Sequence, residues 1–359
     1  MITPLLATQI MSVGKVVVTG ASGFVGSHLV DHLLDCEFDV VPTSRSTRAA
    51  NNLHYIQSPE LGPGADWSKV LEGCSTVVHL AARAHVLGEC GGSNVEEVYL
   101  RINARGTALL ANQAIAAGVK HFVFVSSIGA MAESSDSRLT VAALCEPSTP
   151  YGKSKLEAEL ALKQIAGAST LKWTIIRPPL VYGRGNPGNM ERLLKLVKTG
   201  IPLPLASVRN RRSFICVENL ADLIATCLGN PKAFGKTFLP SDGEDVSTPD
   251  LIRKIAKAEA GTEGRMAADR SPKRPNLGRR QAQAKPECSC GGCAANRARL
   301  FPFPESLLKV MGRLPGLGAL QKLTSSLYVD SEPIRHDLGW IPPFTMEEGL
   351  RRTLAGIEK

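Results

Sequence analysis

The sequence predicts an α/β fold, a doubly wound parallel sheet with a smaller C-terminal lobe. Three observations predict it. Short apolar runs alternate with stretches of helical periodicity through the first half of the 359-residue chain, the pattern of a parallel sheet covered on both faces. The first run ends in a glycine loop of spacing G-x-x-G-x-x-G, from Gly20 to Gly26. From Pro178 onward the alternation gives way to turn residues (Gly183, Gly185, Asn186, Pro187, Gly188), which mark entry into a second unit. The expected division is therefore a first domain over 12–183 and a second lobe over 184–359.

Each element has a local reason. Val16-Val17-Val18 is short, apolar and β-branched, and reads as a buried parallel strand. Phe24, Val25, Leu29, Val30 and Leu33 carry a helical pattern over 24–35. Phe38-Asp39-Val40-Val41 and the run from Thr76 to Ala81 are the next strands. A helix from about Asn103 to Ala117 ends at Gly118, a suitable residue for a left-handed C-terminal cap. The strand His121–Val125 delivers Ser126 and Ser127 at its C-terminal end. Thr149 and Pro150 supply the N-cap and first position of a helix carrying Tyr151 and Lys155. Leu171–Ile176 closes the series.

Composition narrows the class. A hydrophobic share of 43 % suffices for a sizeable core, and no run of eighteen apolar residues offers a membrane span. The first residues, up to Met11, lack the basic flank and cleavage site of a signal peptide and read as a ragged extension, which points to a cytoplasmic protein. Net charge is +9, but residues 261–300 hold nine basic and three acidic residues, +6 of that total, so no general nucleic-acid surface is indicated. The same stretch is poor in apolar residues and reads as a disordered basic insertion. Six of the nine cysteines are scattered, as reduced thiols would be. Cys288, Cys290 and Cys293 cluster, yet a zinc site needs four ligands and no His lies nearby, so no metal is expected.

The chemistry-bearing residues lie where a doubly wound sheet binds ligands, outside the carboxyl ends of its strands. Gly20, Gly23, Phe24, Val25 and Gly26 form a strand–loop–helix of the Rossmann type, in which glycines let a pyrophosphate approach the positive helix end. An acid usually follows the second strand in NAD binders. Here Thr43-Ser44-Arg45-Ser46 stands instead, with Arg45 able to pair with a 2′-phosphate or stack on adenine, so the cofactor is NAD or NADP. Tyr151 and Lys155 are one helical turn apart and share a face. A free Tyr has a pKa near ~10, and a neighbouring ammonium is expected to lower it. Ser127 would orient a substrate hydroxyl, Tyr151 would exchange its proton, and Lys155 would tune the phenol and hold the nicotinamide ribose. Together they point to hydride chemistry on an alcohol or ketone.

At these residues the chain resembles the extended short-chain dehydrogenase/reductase family. The resemblance rests on Gly20–Gly26, His79-Leu80-Ala81-Ala82, Asn103 with Gly106-Thr107, Ser126-Ser127, Tyr151 to Lys155, Arg177–Gly183, Arg212–Asn219 and Leu338-Gly339-Trp340. It is most similar to the NAD-dependent epimerase/dehydratase branch acting on nucleotide-diphosphate sugars. The resemblance implies that Leu80, Ala81, Ala82 and Pro178 line the cofactor and that Asn103 supports the site. It implies Asn189 and Arg212 as ligands of the substrate diphosphate, and a possible homodimer. The function implied is a UDP-glucose or UDP-N-acetylglucosamine 4-epimerase of surface polysaccharide synthesis, or alternatively a reductase of a UDP-4-keto-6-deoxy-N-acetylhexosamine. A non-catalytic NAD(P)-binding regulator is opposed by the intact Ser127, Tyr151 and Lys155. Ile128-Gly129 stands where dehydratases carry Asp-Glu, which disfavours 4,6-dehydration, and Met131 and Arg184 replace a common tyrosine and proline.

Overall fold

Val16, Val17 and Val18 are wholly buried because their strand lies mid-sheet with a helical layer on each side. The computed structural model describes residues 13–46, 54–84, 93–186, 188–269, 299–312 and 318–355. Seven strands form the main sheet: β1 (Lys15–Thr19), β2 (Val40–Ser44), β3 (Ile56–Gln57), β4 (Cys74–His79), β5 (His121–Val125), β6 (Lys172–Ile176) and, after two strands elsewhere, β9 (Lys236–Phe238). Their order is 3-2-1-4-5-6-9, and neighbouring strands run parallel. β7 (Leu180–Tyr182) and β8 (Arg212–Cys216) pair in a small separate sheet.

Side chains alternate between the faces of a strand, and the core divides accordingly. Val16, Val18, Val78 and Val123 join Leu29, Val30 and Leu33 of α1 (Phe24–Asp35) and Leu220 and Ile224 of a later helix, Val217–Cys227. On the other face Val17, Val77, Phe122 and Ile175 meet a long helical stretch, formed by α2 (Ser93–Tyr99), a π-helical segment Leu100–Arg105 and α3 (Gly106–Ala116). Behind it stands α4 (Pro150–Gly167), through Ala158, Leu162 and Ala166. Burying Phe122 in this layer is worth about 3–5 kcal/mol on the scale of Phe→Ala truncations. The carboxyl ends of β1, β4 and β5 are thereby set side by side, carrying Gly20, Leu80 and Ser126. β1 has strands with opposite chain order on its two sides, the switch point where such sheets bind ligands.

The chain divides into two units, and the division is not the one the sequence suggested. The first takes Met1–Tyr182 but also Arg211–Asp245 and Ser325–Met346; the second takes Gly183–Asn210, Val246–Thr324 and Glu347–Lys359. Thus the first crossing falls at the expected place, but the chain returns twice to add β8, β9, the helix Val217–Cys227 and the helix Glu332–Leu338. In the second unit α5 (Asn189–Lys198) buries Met190, Leu193, Leu194 and Val197, the stripe of an amphipathic helix. Buried Asn210 donates to Thr248 Oγ1 at 3.1 Å and accepts from Thr248 N at 2.8 Å, fixing the start of the helix Thr248–Asp269.

That helix corrects a second expectation. It runs nine residues into the supposed insertion at 261–300. The reason is local: Glu263, Arg265, Met266, Ala267 and Ala268 are good helix formers, a signal lost when composition is averaged over forty residues. The rest of that insertion to Ala298, with Cys288, Cys290 and Cys293, lies outside the described residues, as do the first twelve residues and Cys90.

Candidate active site

The glycine loop is shaped by close approach. Gly20 has φ +71°, and a Cβ there would lie 2.8 Å from the backbone nitrogen of Ala81, so β1 and β4 meet at a point only glycine can occupy. Gly23 is the N-cap of α1, with no side-chain cap and no acid in the first turn, where Phe24 and Val25 are half-buried. The first amide N–H groups of a twelve-residue helix are left for an anion, which is what a pyrophosphate requires. Gly26 is buried against the loop. Ser22 and Ser44 hydroxyls pair at 2.9 Å and tie the loop to the end of β2. Arg45 follows there, exposed, and no carboxylate takes its place.

A buried polar chain secures the next loop. Thr107 donates to Asn103 O at 2.6 Å, so His79 Nε2 must donate to Thr107 Oγ1 at 3.0 Å. His79 Nδ1 then accepts from Thr19 Oγ1 at 2.7 Å, and Thr19 Oγ1 accepts from Ala81 N at 3.3 Å. This chain fixes the imidazole tautomer. Burial, followed by the Lys155 charge, holds His79 neutral with a pKa lowered to about 3. Leu80 N bonds Thr19 O at 3.2 Å, so Leu80, Ala81 and Ala82 leave β4 alongside the glycine loop. Asn103 lies in the π-helical segment, a deviation often found at functional sites. Its side chain accepts from Arg83 N at 2.8 Å and donates to Arg83 O and to Ser154 Oγ, at 3.1 and 3.0 Å. Ser154 in turn donates to Tyr151 O at 2.8 Å. Asn103 therefore couples the loop after β4 to the helix that carries Tyr151 and Lys155.

α4 begins as its sequence predicts. Thr149 caps it by accepting from Gly152 N at 3.1 Å, and Pro150 stands in the first turn. Gly152 packs so closely that a Cβ would lie 2.2 Å from Gly129 O. That contact draws the first turn of α4 onto the turn Ile128–Ala130, and Ser127 hydrogen-bonds the Tyr151 phenol. Ile128 N donates to Pro178 O at 2.9 Å, which places buried Pro178 behind Ser127. Lys155 is buried one turn further on. Its Nζ donates to Val125 O at 2.9 Å and lies 4.5 Å from the Phe124 ring centre.

The electrostatics depart from expectation in one respect. Tyr151 is not lowered; burial pushes its pKa up to about 12, Tyr99 and Glu133 add to the rise, and the Ser127 hydrogen bond opposes it. Lys155 falls to about 8 through burial, with Glu159 working against the fall. Shared helical spacing put both groups on one face, but the ammonium is directed to Val125 O and does not contribute to the phenol. Glu159, a turn beyond Lys155, was not picked out in the sequence. It accepts from Ser126 Oγ at 2.5 Å and from Arg177 Nε and Nη2 at 2.9 and 2.5 Å. Its signal was the continuation of the i, i+4 spacing from Tyr151 through Lys155.

The two residues expected at the diphosphate belong to different units. Arg212 opens β8 in the first unit and donates to Ser325 O and Oγ at 3.1 and 3.2 Å. Asn189 opens α5 in the second unit and is exposed. Among the described residues, no group of three or more His, Cys, Asp or Glu could hold a metal. None of the described helices is long and apolar enough to cross a membrane.

Residues 16–239 match the profile of the NAD dependent epimerase/dehydratase family, which is most of the chain and contains the glycine loop, Ser127, Tyr151 and Lys155. The chain belongs to this family of enzymes. Within the NAD dependent epimerase/dehydratase family it is similar to the UDP-glucose 4-epimerase of Vibrio cholerae, 34 % identical over 94 % of each chain. Its fold is shared with a UDP-glucose 4-epimerase from Thermotoga maritima solved with UDP-glucose (TM-score 0.69, 20 % identity, 96 % of this chain and 98 % of that one). It is shared too with a UDP-glucuronic acid 4-epimerase from Bacillus cereus in complex with NAD (TM-score 0.67, 20 % identity, 96 % of both chains). This family member thus has the fold of enzymes with both neutral and charged sugars in their names.

Proposed function

We propose that this enzyme is a UDP-hexose 4-epimerase acting on UDP-glucose or UDP-N-acetylglucosamine, in surface polysaccharide synthesis in the cytoplasm. The observation that carries the reading is the Ser127–Tyr151 hydrogen bond past the end of β5, at the same carboxyl edge of the sheet as the glycine loop. The Vibrio cholerae relative supports the substrate class, since the likeness extends over nearly the whole of both chains.

In this reading Gly20, Gly23, Phe24, Val25 and Gly26 hold the NAD pyrophosphate at the open end of α1. Leu80, Ala81, Ala82 and Pro178 line the rest of the cofactor, supported by Asn103, and Arg45 flanks its adenosine end. Lys155 has one donor committed to Val125 O and two N–H bonds left for the ribose. Bound there, the nicotinamide supplies the hydride acceptor and donor for C4. Ser127 and Tyr151 bracket the sugar O4. Tyr151 must first give up its own proton; its phenolate oxygen then takes the O4 proton as the alcohol is oxidised and returns it when the ketone is reduced on the other face. Positioning and proton transfer share the acceleration. Arg212 contributes a guanidinium for the diphosphate.

One observation favours a second reading, reduction of a UDP-4-keto-6-deoxy-N-acetylhexosamine. A phenol held near 12 is protonated at neutral pH, and a reductase needs only that acid. Incubating the purified enzyme with UDP-glucose and UDP-N-acetylglucosamine, without added cofactor, separates the readings. Formation of the 4-epimer supports the epimerase; NADPH consumption with the keto sugar alone overturns it. Tyr151→Phe is expected to abolish either turnover while leaving cofactor affinity within a few-fold. Retained turnover removes the phenol from the mechanism.

A further inference from the structure

Glu133 is a charged group of the site that neither spacing nor motif singled out. Thr149, the cap of α4, donates to its Oε1 at 2.9 Å. The Cβ direction of Gly129 points to a spot 3.4 Å from Ser127 Oγ and 3.5 Å from Glu133 Oε1, so these two oxygens are no more than about 7 Å apart. The carboxylate is half-buried, forms no ion pair among the described residues, and has Oε2 without a hydrogen bond among them. Its field reaches both functional neighbours, raising the Tyr151 phenol and favouring the charged form of Arg212.

We infer that Glu133 sets the charge of the hexose this site accepts, admitting neutral sugars and rejecting uronates. The inference rests on the proposed reaction at C4. A hexose presenting O4 to Ser127 carries its C6 group on the adjacent ring carbon. A C6 carboxylate therefore falls within one sugar ring of Ser127, the range that Glu133 already occupies. Like charges at such separations beside a half-buried carboxylate repel, because water screens them only in part. Arg212, the cation that feels the Glu133 charge, is directed to Ser325 O and Oγ and is assigned to the diphosphate, so it does not neutralise the carboxylate for a sugar at Ser127. A neutral hydroxymethyl group meets no repulsion, and Oε2 can accept a hydrogen bond from it.

The test compares UDP-glucose with UDP-glucuronate on the holoenzyme, by equilibrium binding and by turnover to the 4-epimer. The wild type should favour UDP-glucose by more than tenfold in both Kd and kcat/KM. Glu133→Gln keeps the size and the acceptor for Thr149, and should narrow that ratio at least tenfold, chiefly through tighter UDP-glucuronate. Thr149→Ala, which disturbs the helix cap without moving charge, should weaken both sugars alike and leave the ratio unchanged. An unchanged ratio in Glu133→Gln overturns the inference, as does a wild type that binds both sugars equally. If the wild type binds UDP-glucose but epimerises neither sugar, the proposed function fails while the Kd ratio still decides the role of Glu133. Binding of neither sugar overturns both.

Discussion

Gly152→Ala is the sharpest perturbation of the catalytic geometry that leaves every polar group in place. A methyl at position 152 would start 2.2 Å from Gly129 O and 3.0 Å from Gly129 C, against an ordinary contact distance of 3.4 Å or more. Both neighbours are backbone, so no flexible side chain can yield. The first turn of α4 must retreat by about 1 Å, taking Tyr151 with it and loosening the Gly152 N to Thr149 Oγ1 cap. A displacement of roughly 1 Å from productive geometry costs about 10²-fold in rate. Overpacking and a weakened cap together cost about 2 kcal/mol, which lowers Tm by roughly 4–8 °C in a domain of this size.

The assay is steady-state kcat with the sugar that proves to be substrate, alongside thermal unfolding. Gly167→Ala at the far end of the same helix is the control, since nothing lies within 4 Å of its Cβ direction. It should leave kcat unchanged and stabilise by up to about 1 kcal/mol. Gly152→Ala with kcat within twofold of wild type would refute the claim that the Gly129–Gly152 contact sets the Ser127–Tyr151 geometry.

Two further outcomes test the buried charges. His79 and His121 have folded pKa values of about 3, below the free value of 6.5. The unfolded chain therefore takes up protons that the native state refuses. Stability should be full above pH 6.5 and fall as pH drops toward 3, by roughly 2 kcal/mol per histidine at pH 5. Urea unfolding at pH 7 and pH 5 checks this, and equal stabilities would contradict it. Glu159→Gln should cost about 3–5 kcal/mol, because Arg177 is 4 % exposed and would be left as a buried charge with half its partner. It should also lower the Lys155 pKa further, since Glu159 is what supports that ammonium. A variant as stable as wild type in denaturant would show the pair to be dispensable.

What the sequence made legible was local. The Val16–Val18 run, the glycine spacing and the Thr149-Pro150 cap each depend on neighbours within a turn or strand, and all stand where expected. The strands that follow β6 were harder, because β7 and β9 have three residues each and their membership is decided by distant partners. Glu133, His79 and Arg177 belong to the same class. Their roles arise from residues up to 60 positions away, as Thr19 and His79 show. Lys155 marks the boundary between the two. Helical spacing fixes which face carries a side chain, but the choice between its own helix neighbour and Val125 O is made by the end of β5.

That choice orders the charges along α4. Tyr151, Lys155 and Glu159 lie at successive turns of one face, and burial drives the first toward neutral phenol and the second toward neutral amine. Glu159 opposes this at one end by sharing its carboxylate between Ser126, Arg177 and the field at Lys155. Ser127 opposes it at the other by hydrogen-bonding the phenol. The free groups titrate within a unit of one another, near ~10 and ~10.4, whereas here the phenol stands near 12 and the ammonium near 8. A proton offered to the pair therefore goes to the phenol first. In the proposed reaction Tyr151 is therefore ready to donate to the ketone and must be ionised before it can take the alcohol proton, while Lys155 is left as the proposed donor to the ribose.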